Sequence, residues 1–314
     1  MRKTLLRRTT PLAIVTLACL GFAGAAFAAG DGLATAERLS AWQAVILGIV
    51  EGVTEYLPVS STGHLVLVER LMDLGRTEQA RTAIDAYTVI IQFGAILAVL
   101  ALSKDRVISV FKGLVGRDDD GRHLLFNLVV AFVPAAILGL TLADTIDAHL
   151  LEAGPVAGAL IVGGVAILLL GSRLRSAHGR GQALEELTIR SALIIGLAQA
   201  LALWPGTSRS LVTILGGLLV GLSMTAAVEF SFLLGLITLT AATGLSVLKD
   251  GSTVIDTYGW SAPLIGIVFA GISAFLAVRS FVAYLKQRDL DVFGWYRIAL
   301  GIVIAVLIVA TDLF

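Results

Sequence analysis

A single cysteine in 314 residues, Cys19, excludes an internal disulfide and any metal centre built on cysteine. Charge is also scarce: 15% of the residues are Asp, Glu, Lys or Arg, where a soluble domain carries about 25%. Neither sign prevails, with 23 basic against 23 acidic residues, so the total points to no nucleic-acid partner. Histidine is limited to four positions, His64, His123, His149 and His178. What fills the chain is apolar: 57% hydrophobic residues and a mean hydropathy of +0.91. That composition belongs to a helical, polytopic membrane protein.

Residues 1–29 read as a secretory signal. Arg2, Lys3, Arg7 and Arg8 form a basic start, Pro11 to Phe22 an apolar core, and Ala26-Phe27-Ala28 a small-residue cleavage pattern that leaves Ala29 as the mature start. The alternative is an uncleaved first helix, although the run is short of the roughly 20 residues a span needs. Either way residue 30 is delivered to the far side of the membrane. Residues 30–314 then form one integral membrane domain.

Six later segments are long and apolar enough to cross: 84–102, 122–142, 156–172, 226–248, 261–282 and 294–313. Two others, 41–73 and 190–222, are broken in the middle, at Leu57-Pro58-Val59-Ser60-Ser61 and at Trp204-Pro205-Gly206-Thr207-Ser208. Proline lacks an amide donor and disfavours helix at the residue before it, so each segment is expected to be two half-helices around a polar break. Basic residues concentrate in the loops 103–121, 171–190 and 283–293, which the positive-inside rule places in the cytoplasm. The count of crossings closes only if both broken segments are re-entrant. The first must dip in from outside and the second from the cytoplasm, which leaves Arg70, Arg76 and Arg81 on the outer side against the rule.

The broken segments resemble each other. Ile46 to Glu51 runs against Ile194 to Gln199, and Pro58 to Thr62 against Pro205 to Arg209, with a one-residue slip between the blocks. A unit of one hairpin plus two spans is expected twice, in opposite orientation. In such inverted repeats the broken helices meet near the midplane and form the site there. Gly48/Gly52 and Gly217/Gly221 have a spacing that suits close helix packing within the hairpins, and the oligomeric state is not readable.

Polar groups are costly at bilayer depth, and the run Glu51 to His64 holds several. Glu51 and Glu55 are four apart and share a helix face; such a pair suits a divalent cation, Mg²⁺ or Ca²⁺, or a proton relay. Ser60, Ser61 and Thr62 precede a new helix whose amides and dipole favour an anion, with His64 one turn in. The second break supplies Gly206, Thr207, Ser208, Arg209 and Ser210, a forked donor set suited to phosphate. Arg209 could instead only neutralise Glu51, Glu55 or Glu229. Combined, the breaks hold the inventory of a phosphoryl-transfer site.

EGVTEYLPVSSTGH at Glu51 to His64, IQFGAILAV at Ile91 to Val99, PGTSRS at Pro205 to Ser210 and AVEFSFLL at Ala227 to Leu234 resemble the BacA/UppP undecaprenyl-diphosphate phosphatases of bacterial inner membranes. The resemblance covers most of the chain from about 40 to 314. It implies removal of the terminal phosphate of undecaprenyl diphosphate at the outer, periplasmic face, carrier recycling for peptidoglycan, and bacitracin resistance. It further implies inverted repeats with two re-entrant hairpins. The motif positions make Glu51 and Glu55 the acidic pair, place Ser60, Ser61, Thr62 and His64 in the phosphate pocket, and make Arg209 the clamp. Two departures stand out: Leu211-Val212-Thr213 where the family usually has Gly-Ala-Thr, and Ile237 near a common proline. The former is expected to narrow the pocket.

The expected chemistry has Ser61 as nucleophile, Glu55 or His64 as base, and Arg209 stabilising the transferred phosphoryl; direct attack by His64 is the alternative. Type-2 lipid phosphatases use a histidine beyond their SR motif, and no histidine follows Arg209 here. The rival outside enzymology is a secondary transporter or flippase of an anionic prenyl lipid, because opposed broken helices also mark transporters.

Overall fold

A computed structural model describes residues 38–176 and 181–311, apart from the side chains of 143, 144, 147, 148 and 172–176. The signal-like segment 1–29 lies outside the described residues. The described chain is helical: α1 Ala41–Thr54, α2 Ser61–Leu71, α3 Glu78–Leu102, α4 Lys104–Leu114, α5 Asp119–Leu150, α6 Ala153–Ser176, α7 Ile189–Ala200, α8 Arg209–Leu219, α9 Met224–Tyr258, α10 Ser261–Leu285 and α11 Asp291–Ala310. Six of these, α3, α5, α6, α9, α10 and α11, are long and apolar enough to span a bilayer. They coincide with the six expected spans, and the protein is an all-α polytopic membrane protein. One segment expected as loop, 103–121, contains the helix α4.

Both broken segments fold as half-helices around a break. In the first, α1 ends just before Pro58 and α2 starts at Ser61. In the second, a short 3-10 turn, Leu201–Leu203, follows α7, and α8 starts at Arg209. Each first half-helix packs on a long helix through a glycine with no room for a side chain. A Cβ on Gly48 would lie 2.5 Å from the Gly266 carbonyl oxygen of α10, and one on Gly196 2.5 Å from that of Ala131 in α5.

The helix pairs repeat in the same way. As α1 and α3 pack on α10, so α7 and α9 pack on α5, while α3 pairs with α9 and α6 with α11 across the pseudo-axis. Each unit therefore holds a hairpin and three long helices, not two spans as the sequence suggested. An odd number of crossings is what sets the second unit in opposite orientation.

The slip expected between the repeats also disappears. One constant offset pairs Ile46 with Ile194, Gly48 with Gly196, Glu51 with Gln199 and Ser60 with Ser208. Only the prolines fall out of step, because the second break has one residue more between proline and cap. At the centre, Tyr56, Leu57 and Val59 of the first break pack in one apolar cluster with Leu211, Ile214 and Leu215 of α8 and Phe232 of α9. The two breaks are thus held in register by a common core.

Candidate active site

The breaks share a backbone feature. Ser60 caps α2 at φ 72°, ψ 105°, and Ser208 caps α8 at φ 74°, ψ 112°. Positive φ is uncommon for residues other than glycine, and each instance stores about 1–3 kcal/mol of strain. Each serine recovers part of this by capping its helix: Ser60 Oγ accepts from the Gly63 amide at 3.4 Å, and Ser208 Oγ from the Leu211 amide at 3.3 Å. The other first-turn amides have no intrahelical acceptor and form the positive end of each dipole. Two anion-attracting helix starts thus come from two repeats.

Between them lies Glu55. Its Oε2 accepts from Ser61 Oγ at 2.6 Å, and its Oε1 accepts from Arg209 Nη2 at 2.9 Å. Ser61 and Arg209 occupy equivalent first positions of α2 and α8, so one carboxylate joins the two repeats. Arg209 also donates from Nη1 to the Ser231 carbonyl at 3.1 Å, and its guanidinium carbon lies 5.0 Å from the centre of the Tyr56 ring. Its Nε is buried without a hydrogen-bond partner. The option that Arg209 serves Glu229 is corrected here: Glu229 pairs with Arg106 of α4 at 2.8 Å, far along the chain from the breaks.

His64 stands apart from this triad. Its Nδ1 bonds the Ser60 carbonyl at 2.7 Å and its Nε2 the Tyr296 hydroxyl at 2.6 Å. A carbonyl only accepts, so Nδ1 carries the proton, and in the neutral ring Nε2 accepts from Tyr296. His64 thus braces the break that carries Ser61.

The hydroxyls divide in function. Ser210 Oγ donates to the Leu57 carbonyl at 2.8 Å, crossing from the second break to the first, and lies 3.0 Å from Ser208 Oγ. Thr213 Oγ1 meets Ser231 Oγ at 2.7 Å. Only Ser61 and Thr62 among the expected residues line a cavity of about 600 Å³ that also borders Glu69, Arg70, Arg81 and Asp85. Gly206 packs on Val156 and Ala159 of α6, where a Cβ would come within 2.6 Å of a backbone oxygen. Thr207 is half-buried beside it. Leu211 is buried in the core cluster and does not line this cavity, so its bulk faces away.

One residue was missed from sequence. Arg297 of α11 is fully buried and donates from Nη2 to the carbonyls of Gly206 at 2.9 Å, Thr207 at 3.1 Å and Ala159 at 3.2 Å, and from Nη1 to that of Pro58 at 3.4 Å. It therefore clamps both breaks from below, next to Tyr296. The signal was partial: Arg297 lies in the second turn of an apolar span, next to a loop whose basic residues made one more arginine unremarked.

Glu51 is buried beside this network, and neither of its carboxylate oxygens has a hydrogen-bond partner. Among the described residues no group of three or more His, Cys, Asp or Glu gathers around one point. Two carboxylates, one of them unpartnered, do fit a hard cation that takes its other ligands from water and substrate phosphate.

Residues 44–303 match the model of a family described as bacitracin resistance protein BacA. The chain belongs to the BacA family. It is 45% identical over 262 residues to an undecaprenyl-diphosphatase of Sorangium cellulosum, covering 83% of this chain and 84% of that one. It is 46% identical over 263 residues to undecaprenyl-diphosphatase 2 of Rhodospirillum rubrum, with 83% and 93% covered. An undecaprenyl-diphosphatase of Ectopseudomonas mendocina is 45% identical over 267 residues, with 84% and 92% covered. The matched region of the family spans both breaks and ends beyond Arg297.

Proposed function

We propose that this BacA-family protein hydrolyses undecaprenyl diphosphate to undecaprenyl phosphate and inorganic phosphate at the paired breaks. The observation that carries the reading is the single carboxylate of Glu55 holding both Ser61 and Arg209. Ser61 Oγ attacks the terminal phosphorus and its proton passes to Glu55 Oε2 over the existing hydrogen bond. The bond from phosphorus to the bridging oxygen breaks, and undecaprenyl phosphate leaves. Arg209 and the first-turn amides of α2 and α8 stabilise charge on the transferred group. Glu55 passes that proton to the departing undecaprenyl phosphate, then takes one from the water that attacks the phosphoserine and returns it to Ser61 Oγ, which releases phosphate and restores Ser61.

Glu51, with Glu55, would hold Mg²⁺ or Ca²⁺, and the ion would neutralise part of the diphosphate charge. The protein acts in the bacterial inner membrane, with its site open to the periplasm. The cavity that reaches Ser61 is bordered by Arg70, Glu78, Arg81, Leu151 and Asp250, all in stretches that the crossing count assigns to the outside. Arg70 and Arg81, out of place as outer-loop charges, border the mouth through which an anionic substrate arrives. Removal of free undecaprenyl diphosphate there would also deprive bacitracin of its target.

The test is phosphate release from undecaprenyl diphosphate by purified protein in detergent, where no transport is possible. Release that disappears in Arg209→Ala and Glu55→Gln variants is expected. A folded wild type that releases none would return the protein to the transport class. Trapping the phosphoenzyme separates the nucleophiles: an acid-stable, base-labile linkage is expected for Ser61, and an acid-labile, base-stable one would move the role to His64.

A further inference from the structure

Helix α4 carries an exposed apolar stripe beside the face that it packs on the protein. Its polar and small positions face the protein: Arg106 bonds Glu229 at 2.8 Å and Glu185 at 2.6 Å, Ser109 Oγ donates to Asp118 at 2.8 Å, and Gly113 is buried against Arg122 at the start of α5. Its apolar positions divide: Val107 and Val110 pack against the core, while Ile108 is 49%, Phe111 65%, Leu114 68% and Val115, just beyond its end, 64% exposed. Ile108, Phe111 and Val115 recur at helical spacing and form one stripe. Only Ser103 separates α4 from Leu102, the end of the span α3, so the stripe begins at the boundary of the bilayer.

Exposed basic residues accompany it. Lys104 opens the helix, Lys112 lies at the edge of the stripe and Arg117 follows it. Of the nearby acids, Asp118 is engaged by Ser109 and the Gly121 amide and Asp119 by Arg122, while Asp105 and Asp120 are exposed. An outward apolar stripe with a basic rim beside a span end has the chemistry of an interfacial helix on anionic lipid.

We infer that α4 is a docking surface for anionic phospholipid, lying in the headgroup plane of the face that the charge rule assigns to the cytoplasm. Ile108, Phe111, Leu114 and Val115 enter the acyl boundary, and Lys104, Lys112 and Arg117 hold phosphate headgroups. The bound lipid seats the helix whose Arg106 ties α9 to the Leu184–Glu186 turn.

The full-length Phe111→Trp variant, with Leu114→Trp as a second in case the first misfolds, is reconstituted into vesicles of brominated phosphatidylglycerol or brominated phosphatidylcholine. The signal of the four native tryptophans is subtracted from matched wild-type samples. Quenching of the added tryptophan is expected in both lipids. It should be about twofold stronger with phosphatidylglycerol at low salt and equal at ~1 M salt, where the screening length is about 3 Å. In a Lys104→Gln, Lys112→Gln, Arg117→Gln background the quenching should persist and the preference vanish. Absence of quenching, equal quenching at low salt, or an unchanged preference in the neutralised background would each overturn the inference.

Discussion

At Ser60 and at Ser208 the chain makes the same turn, starts the same kind of half-helix and places a polar residue at its first position. That residue is a hydroxyl in one repeat, Ser61, and a guanidinium in the other, Arg209. One step earlier in the pattern the repeats differ again, with Glu51 opposite Gln199, whose carbonyl oxygen accepts from Thr238 at 3.3 Å. A fold that doubles a backbone has thus not doubled the chemistry. The first break holds proton-transfer groups and the second holds positive charge, and Glu55 joins them. Phosphoryl transfer needs both at one phosphorus, which neither repeat supplies alone.

The sharpest way to break this division is to remove one side at a time. Ser61→Ala removes the attacking atom and is expected to lower kcat by about a thousandfold or more, with lipid binding retained. Arg209→Lys keeps a charge but loses the fork to Glu55 and Ser231, and about a hundred- to thousandfold loss in kcat/KM is expected. A milder result for Lys than for Ala would mean that charge, rather than geometry, is what the second break contributes.

Glycines test the same division from the packing side. A Cβ on Gly235 would come within 2.3 Å of Arg209 Nη1, a movable side-chain end, whereas one on Gly48 meets the backbone of Gly266. Gly235→Ala should therefore cost activity of about a hundredfold with little change in Tm. Gly48→Ala should lower Tm or abolish folding. Parallel assays of phosphate release and thermal unfolding distinguish the two, and equal loss of stability in both would remove the distinction.

A smaller effect is expected at the caps. Ser208→Ala and Ser60→Ala each lose a cap worth about 1 kcal/mol while keeping the strained φ, and Gly at either position should be milder because it accepts that φ. Unfolding of the four variants should rank Ala below Gly at both breaks, and a different order at one of them would show that the caps are not equivalent.

The smallest effect concerns pH around the Leu184–Glu186 turn and the start of α5. The carboxylate of Glu185 is held below its ordinary range by the amides of its own turn and then by Arg106, and Asp118 is held down by the Gly121 amide and the Ser109 hydroxyl. Both ionise more readily folded than unfolded. The stability they add is present above the ordinary carboxylate range, about pH 4, and is lost as pH falls through their depressed values. Tm measured from neutral to about pH 3 should fall at the acid end, and less so in Arg106→Gln.

Much of this arrangement could be read without coordinates, for a physical reason. Spans and breaks are local properties: apolar length, proline, and the cost of charge in lipid are visible in any window, so all six spans, both breaks and the residues of both motifs were named. What depended on pairing was not visible. Glu229 could be assigned to Arg209 or to any other cation, because only the fold brings Arg106 to it. His64 is held between the Ser60 carbonyl and the Tyr296 hydroxyl, a placement that no local pattern announced. The prolines suggested a slip because they are the conspicuous residues, whereas the caps set the register. Helix α4 was read as loop because its basic residues dominated the window and hid the stripe beneath them.

Three interactions cross from one repeat to the other at the breaks: Glu55 with Arg209, Ser210 with the Leu57 carbonyl, and Arg297, itself in the second repeat, with the Pro58 carbonyl while it also grips Gly206 and Thr207. In a machine that works by rocking one half against the other, this is where the sliding surface would be. Here it is laced shut. Each rocking cycle would have to part a buried ion pair and several buried hydrogen bonds. A symmetry that elsewhere permits motion serves in this molecule to hold a hydroxyl and a guanidinium still.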